Sequence, residues 1–515
     1  MLVVEDQKVI LLKLAKPERV TDAIPTAKML DFNGTTFTVV PHRLDEVRVL
    51  RNLGIRAPSP ILSQYQWPGR FTPFNHQRMT SAFLTMHNKC VVLNEIGTGK
   101  TQAALWAADY LIKKRVIKKV LILSPLSTLE RVWGDSIFEG LIHRKAVVLT
   151  GTAERRKKLL KSDADFYVIN HDGFNIIAKE AIGMFDLVIV DEAAVYRNPT
   201  TSRFKTFFKW TGLNPHTRLW LMTGTPTPNE PTDAWALAKL INSADLTSNF
   251  TNFKDQVMTK IGNFRYKPRP DAAEVVSQVL RPSVRYTRDE CLDLPEQMFQ
   301  SREVPLSSEQ KFHYEKMLKQ FTTELATGSI TAVNEAVKLG KLVQIACGVA
   351  YGDNGDEIEI DASPRLALLK EVIEEIGGKG IVFVPLTGAL HMVARYLRQY
   401  YTVEVVNGQV KPKERNEIFN NFQHGKEPKI LLAHPGTMAH GLTLTAARAT
   451  IWYGPTNSNE TYTQANGRTE RIGKRYVSSV VHLQGTTLER EMYARLKGKQ
   501  TLQGLLLSIL QQQDK

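Results

Sequence analysis

Long apolar runs are missing from these 515 residues, and cysteine is scarce. No stretch is long and apolar enough to span a bilayer, and the N-terminus lacks the pattern of a secretory signal. An intracellular protein, cytoplasmic or nucleoid-associated and not held by a membrane, is therefore expected. The three cysteines, Cys90, Cys291 and Cys347, are isolated from one another, which excludes a disulfide framework and argues against a cysteine-based zinc site. Acidic residues are the minority sign: 67 Lys and Arg face 52 Asp and Glu, for a formal charge of +15. That excess favours a polyanionic partner without naming it. What is present, 43% apolar and 23% charged residues, is enough to bury more than one sizeable core, so two or more domains are expected.

The stretch "VVLNEIGTGKTQAALWAADYL" carries the first chemical signal. An apolar β-branched run, a glycine turn and a helical pattern with Ala104, Leu105, Ala108 and Leu111 on one side come in the order a phosphate loop requires. Gly97 and Gly99 let the backbone of the loop turn its N–H groups inward around Thr98, and the helix N-terminus adds its own attraction for phosphate. Lys100 can then reach the β- and γ-phosphates, and Thr101 can place its hydroxyl on Mg2+. Asn94 stands where the general pattern wants glycine.

About ninety residues on, "FDLVIVDEAAVYRNP" is a buried-strand run ending in Asp191 and Glu192. Two carboxylates at the carboxyl edge of a sheet can divide the work: Asp191 holds the metal, and Glu192 orients and deprotonates the attacking water. "VLILSPLSTLERVW", "FYVINHDGF" and "TRLWLMTGTPTPNE" repeat the pattern of a strand with polar residues at its end, so residues 69–242 are expected to form one α/β lobe. Thr223, Gly224 and Thr225, at the end of the last of these strands, are placed to sense the γ-phosphate.

A second α/β lobe is expected over residues 361–500, from the short apolar strands "GKGIVFVP", "YTVEVVNG", "KILLAHP", "ATIWYG" and "SSVVHLQG" separated by helical stretches. It has no phosphate loop of its own. Its "QANGRTERIGKR" suggests a use instead: on a helix, Arg468 and Arg471 face the same way and can stabilise charge on a transferring phosphoryl group, as an arginine finger. Taken singly, these segments also read as a plain glycine turn, a helix N-cap and a solvated basic helix. Pro58, Pro60 and Pro68 mark off residues 1–68 as a small β-rich accessory domain that grips the polyanionic partner, contacts another partner or merely caps the first lobe. Residues 243–360 read as a mostly helical, locally basic insertion and interlobe linker, with "YGDNGDEIEID" a hairpin or loop; residues 501–515 are a short tail.

The ordered series "FNHQ", "NEIGTGKT", "SPLSTLERVW", "DEAAVYRNP", "LMTGTPTPNEPTDAWAL" and "HGLTLTAARATIWYGPTNSNETYTQANGRTERIGKR" resembles the Snf2 family of superfamily 2 helicase-like ATPases, over roughly residues 70–495. The resemblance implies two RecA-like lobes with parallel sheets flanked by helices, a helical insertion, and ATP with Mg2+ as cofactors. It makes Gln77 the adenine-reading glutamine, Lys100 and Thr101 the phosphate and metal residues, Asp191 and Glu192 the metal-holding and water-activating pair, Thr223 to Thr225 the coupling motif, and Gln464, Arg468 and Arg471 the second-lobe part of the ATP site. It also implies phosphate contacts to DNA from Ser124, Thr128, His171, Thr437 and His440.

Several positions depart from the family pattern: Asn94 replaces an acidic residue, Ala194 a histidine, Lys474 a glutamine, and Ala439 and His440 two glycines. The implied activity is a monomeric motor that tracks along double-stranded or forked DNA, serving repair or replication. A strand-separating DNA or RNA helicase and a nucleotide-regulated DNA-binding module with little turnover stay open beside it.

Overall fold

The structure is a computed structural model that describes residues 1–69, 72–227, 230–246, 249–262, 265–291, 298–326, 340–351, 356–438, 444–469 and 479–496. Among these, the chain forms two compact units, one ending at Cys291 and the other comprising the described residues beyond it.

The first unit is built on a seven-stranded sheet in the order Ser283–Val284, Lys89–Val92, Arg218–Met222, Leu187–Asp191, Val120–Ser124, Phe166–Asn170, Ala146–Val148, with every neighbouring pair parallel. Strand residues alternate between two cores. Val91, Leu121, Leu123, Val188, Val190 and Leu221 enter one, and Val92, Val120, Ile122, Ile189, Trp220 and Met222 the other. A sheet buried on both faces explains why these strands read as unbroken apolar runs. Each large apolar side chain fully removed from water contributes about 1.5–3 kcal/mol.

Two of the seven strands lie outside the sequence expectation. Ala146–Val148 is three residues long and only half-buried, and Ser283–Val284 has two residues. Neither is long enough to show a period. The second lies within residues 243–360, so this stretch is shared between the units. Its neighbours also contain an antiparallel hairpin, Met258–Gly262 with Arg265–Pro268, where helix was expected. The Val349–Tyr351 and Glu357–Glu359 hairpin does match the reading of "YGDNGDEIEID".

Residues 1–68 contain a four-stranded antiparallel sheet, ordered Leu2–Val4, Val9–Leu12, Thr35–Pro41, Lys28–Phe32. This sheet does not enclose a separate core. Ile10, Val40, Val47, Leu50 and Ile61 join Leu84, Trp106 and Leu111 in one continuous cluster under the large sheet. Buried Asp109, on the Lys100–Lys113 helix, adds polar ties by accepting from Tyr65 Oη at 2.6 Å, Arg144 Nε at 2.6 Å and His143 Nε2 at 2.9 Å. Burial alone would raise the Asp109 carboxyl, but these three donors hold it below its ordinary value. The segment thus caps the first unit and braces the helix that starts at the phosphate loop.

The second unit has a six-stranded parallel sheet in the order Met298–Glu303, Ser479–Gln484, Ala449–Trp452, Gly380–Phe383, Ile430–Ala433, Val403–Val406. Five of these strands are the expected ones. The sixth, Met298–Glu303, is an edge strand of mostly exposed residues, "MFQSRE", which carries no burial pattern for a sequence to show. No helix among the described residues is long and apolar enough to cross a membrane.

Candidate active site

The carboxyl ends of the first unit's strands bring the expected nucleotide residues together. After the Lys89–Val92 strand, Gly97 (φ 89°) and Gly99 (φ 80°) take left-handed conformations, and the Lys100–Lys113 helix follows directly. A Cβ on Gly99 would come within 2.1 Å of Gln77 Nε2. Gly99→Ala is therefore expected to cost about 1–3 kcal/mol of stability through backbone strain alone, and to weaken ATP binding. Thermal unfolding and equilibrium binding of a fluorescent ATP analogue check both.

Lys100 Nζ donates to the Asn94 carbonyl at 2.8 Å and the Glu95 carbonyl at 3.0 Å, folded back over its own loop. Asn94, at the departure from the motif, is buried and donates its side-chain amide to Thr80 Oγ1 at 2.9 Å. An asparagine at this position thus ties the loop to the preceding helix, Asn75–Met86.

Gln77 lies on that helix, and its amide is committed at both ends. Its Oε1 accepts from the Phe74 N–H at 3.1 Å, and its Nε2 donates to the Thr98 carbonyl at 3.3 Å. His76 meets the same carbonyl at 2.8 Å, and burial lowers its imidazole pKa. In this arrangement Gln77 supports the phosphate loop and keeps one further N–H and one further lone pair on its amide.

Asp191 ends its strand buried, and its two oxygens are differently held. Oδ2 accepts from Trp133 Nε1 at 3.0 Å and from Ser124 Oγ at 3.5 Å; Oδ1 accepts from the Glu192 N–H at 3.1 Å. Burial pushes the Asp191 carboxyl above its ordinary value, and the Trp133 N–H and the charge of Lys100 pull it back. Glu192 follows with φ 50°, a left-handed backbone that costs a non-glycine residue about 1–2 kcal/mol and is concentrated at functional positions. Thr223 and Thr225 are buried beside the loop: the Thr223 N–H donates to the Val92 carbonyl at 3.0 Å, and a Cβ on Gly224 would stand 3.5 Å from Asn94 O and Ile96 N. The Thr223 to Thr225 segment therefore packs directly on the phosphate loop. Half-buried Thr101 and Lys100, opposite a carboxylate that keeps a lone pair on Oδ1, form a donor set that fits a nucleotide phosphate with Mg2+.

Ser124 and Thr128 are placed differently from the expectation of surface phosphate contacts. Both are buried and their hydroxyls are bonded to each other; the single Thr128 hydrogen serves either Ser124 or the Pro125 carbonyl, 2.9 Å away. His171 is buried too, with its ring edge-to-face against Tyr196 at 5.4 Å. The sequence reading missed Trp133, whose partner lies 58 positions away. It also missed Arg285 and Arg288. Glu95 of the loop accepts from Arg285 Nη2 at 3.4 Å and from the Arg288 N–H at 3.0 Å. No local pattern announces such partners.

In the second unit the Asn459–Asn466 helix ends before Arg468, so Arg468 sits in the turn beyond it and not on the helix. Arg468 is 2% exposed and donates Nε to the Met438 carbonyl at 3.0 Å. Gln464 is buried and donates to Glu460 at 3.3 Å. Thr437 is half-buried and donates to the His434 carbonyl at 2.7 Å. Arg471 and His440, with Ala439 and Lys474, lie outside the described residues.

A family model described as the SNF2-related domain matches residues 47–346, and one described as the helicase conserved C-terminal domain matches residues 364–473. Protein p41 of Acyrthosiphon pisum secondary endosymbiont phage 1 is 24% identical over 484 residues, covering 85% of this chain and 99% of its own length. YwqA of Bacillus subtilis, described as an ATP-dependent helicase/translocase, is 29% identical over 340 residues, or 62% of this chain. The match spans only 35% of YwqA itself. Among solved structures, the Sulfolobus solfataricus SWI2/SNF2 ATPase core in complex with dsDNA matches at 20% identity and a TM-score of 0.41, over 86% of this chain and 94% of that one.

Proposed function

The chain belongs to the SNF2-related family and is a Snf2-type, DNA-dependent ATPase, and we propose that it couples ATP hydrolysis to movement along, or remodelling of, double-stranded or branched DNA. One observation carries the chemistry: the phosphate loop, the Asp191 and Glu192 pair, and the Thr223 to Thr225 segment converge at the same edge of one sheet.

Lys100 leaves the Asn94 and Glu95 carbonyls to take the β- and γ-phosphates. Thr101 and Asp191 would hold Mg2+, which would neutralise charge on the phosphate oxygens. Glu192 takes the proton of the attacking water. The family resemblance assigns Arg468 and Arg471 the role of supplying positive charge to the transferring phosphoryl group, and Gln77 and Gln464 that of completing nucleotide recognition. Thr223 to Thr225, packed on the loop, register the loss of the γ-phosphate. Non-specific tracking needs contacts to phosphate and not to base edges, which agrees with the net charge of +15.

ATPase rates measured with duplex, forked and single-stranded DNA and with RNA test the reading, together with a triplex-displacement assay. Duplex or forked DNA is expected to stimulate turnover, and triplex displacement to occur without unwinding. DNA affinity is expected to fall about a thousandfold or more between about 50 and about 200 mM salt, as phosphate contacts release counterions. Stimulation by single strands alone, with unwinding and no triplex displacement, would make the protein a strand-separating helicase.

A further inference from the structure

Trp133 stands apart from the rest of the site because it belongs to no strand end. It lies fully buried in a π-helical turn, Leu129–Gly134, that follows the 3-10 turn Leu126–Thr128. A π turn closes hydrogen bonds between residues five apart, one more than an α turn, and such turns are concentrated at functional sites. The wider turn brings positions 128 and 133 toward the same side, whereas an α turn would swing the indole away. On that inner side Trp133 Nε1 reaches Asp191 Oδ2, with Ser124 beside it and Thr128 behind Ser124. On the outer side of the same short segment, Leu126 is 65% exposed, and Ser127 and Glu130 are exposed as well. The segment thus has one face in solvent and one face that ends on a single carboxylate.

The two oxygens of that carboxylate are held unequally. Oδ2 takes the Trp133 N–H, and the Ser124 hydroxyl as well when Thr128 donates to Ser124 instead of to the Pro125 carbonyl; Oδ1 takes one backbone donor. A carboxylate oxygen accepts two hydrogen bonds comfortably, so Oδ1 is the oxygen left with a lone pair to offer.

We propose that Trp133 is a positioning residue of the ATPase site, fixing the Asp191 carboxylate so that Oδ1 is offered to Mg2+, and that the turn carrying it relays contact at its outer face to that carboxylate. The relay rests on the reading of this protein as a DNA-driven ATPase; the positioning rests only on Asp191 as the metal-holding carboxylate. Ser124 and Thr128 then act from inside the fold, as the polar spacer between turn and carboxylate. A contact made on the exposed face of the turn is thereby passed through Trp133 to the Asp191 carboxylate.

The test is Trp133→Phe in the full chain, which keeps most of the ring volume and removes the N–H. Binding of a fluorescent ATP analogue is titrated with Mg2+, and duplex affinity, thermal midpoint and DNA stimulation of the ATPase are measured beside it. The Mg2+ concentration for half-maximal binding is expected to rise about tenfold, the usual scale for removing an outer partner of a ligating carboxylate. Duplex affinity is expected to hold while the stimulation factor falls. A lowered thermal midpoint with an unchanged Mg2+ requirement would mean that Trp133 only fills the core, and would overturn the proposal. If Trp133→Phe does not fold, Ser124→Ala decides: a smaller shift in the same direction supports the proposal, and an unchanged Mg2+ requirement overturns it. A wild-type protein that DNA fails to stimulate defeats the motor reading and the relay together, while the Mg2+ titration still judges the positioning role.

Discussion

Glu192→Gln is expected to lower DNA-stimulated ATP turnover by about 10²–10⁴-fold, the range a positioned general base supplies, while ATP binding and the fold persist. Glutamine matches glutamate in shape, so the left-handed backbone at this position (φ 50°) is strained equally in both proteins. The neighbouring Asp191 keeps its hydrogen bond from the backbone N–H of residue 192, because a side-chain change leaves that donor in place. The substitution removes the carboxylate that accepts the proton and leaves this backbone geometry in place. Phosphate release measured with saturating duplex DNA, beside equilibrium binding of a fluorescent ATP analogue, separates turnover from affinity. Undiminished release from a folded variant would transfer the base role to another group.

The largest effect on stability is expected in the second unit, from Glu489→Gln. Glu489 is completely buried and pairs with Arg365, itself 1% exposed, whose Nη2 lies 2.8 Å from Oε1 and 2.9 Å from Oε2. Oε2 also accepts from the Gly485 N–H at 2.8 Å, the Thr486 N–H at 3.1 Å and the Thr486 hydroxyl at 3.2 Å, and Arg365 Nη1 donates to the Tyr453 carbonyl at 2.6 Å. Burial by itself would lower the Arg365 pKa, but the Glu489 carboxylate more than offsets this and raises it. Neutralising one partner leaves the guanidinium buried beside an amide that turns an N–H toward other donors. Removing one member of such a pair costs about 3–5 kcal/mol. Hydrogen exchange of the Ala449–Trp452 and Ser479–Gln484 strands, which pack in the same unit, reads this loss locally. Replacing both partners together by apolar residues, Arg365→Met with Glu489→Leu, removes the unpaired charge but orphans the Gly485 and Thr486 N–H groups and the Tyr453 carbonyl, so only part of the loss is expected to be recovered. A Glu489→Gln variant as stable as the wild type would mean that the site is held by packing and not by the pair.

Neither residue of this pair drew notice in the sequence, and the reason applies across the molecule. Arg365 sits in the Ser363–Ile376 helix, and Glu489 lies 124 positions on, so nothing local links them. Trp133 and Asp191 are in the same position, as are Glu95 and Arg285. The Ser283–Val284 strand joins the first sheet because the sheet supplies the partners: Val91 N–H donates to Pro282 O at 3.0 Å, and Leu93 N–H to Val284 O at 2.7 Å. Two residues alone have no period to detect. Ser124 and Thr128 were legible as polar residues after a strand, but whether such hydroxyls face solvent or a neighbour depends on which segment covers them.

The sequence by itself determined what local physics can write down. Apolar runs of strand length, buried on both faces, mark out the main strands of both sheets. The left-handed turns at Gly97 and Gly99 need glycine, and an acidic pair follows a strand where a sheet edge must lie. Tertiary structure alone decided the partnerships: which oxygen of Asp191 is held and by what, where Lys100 rests, where the helix before Arg468 stops, and that the N-terminal sheet shares a core with the first unit. Those outcomes depend on contacts between residues far apart in the chain. Their free energy comes from burial and from satisfying polar groups across that distance, which no window of sequence contains.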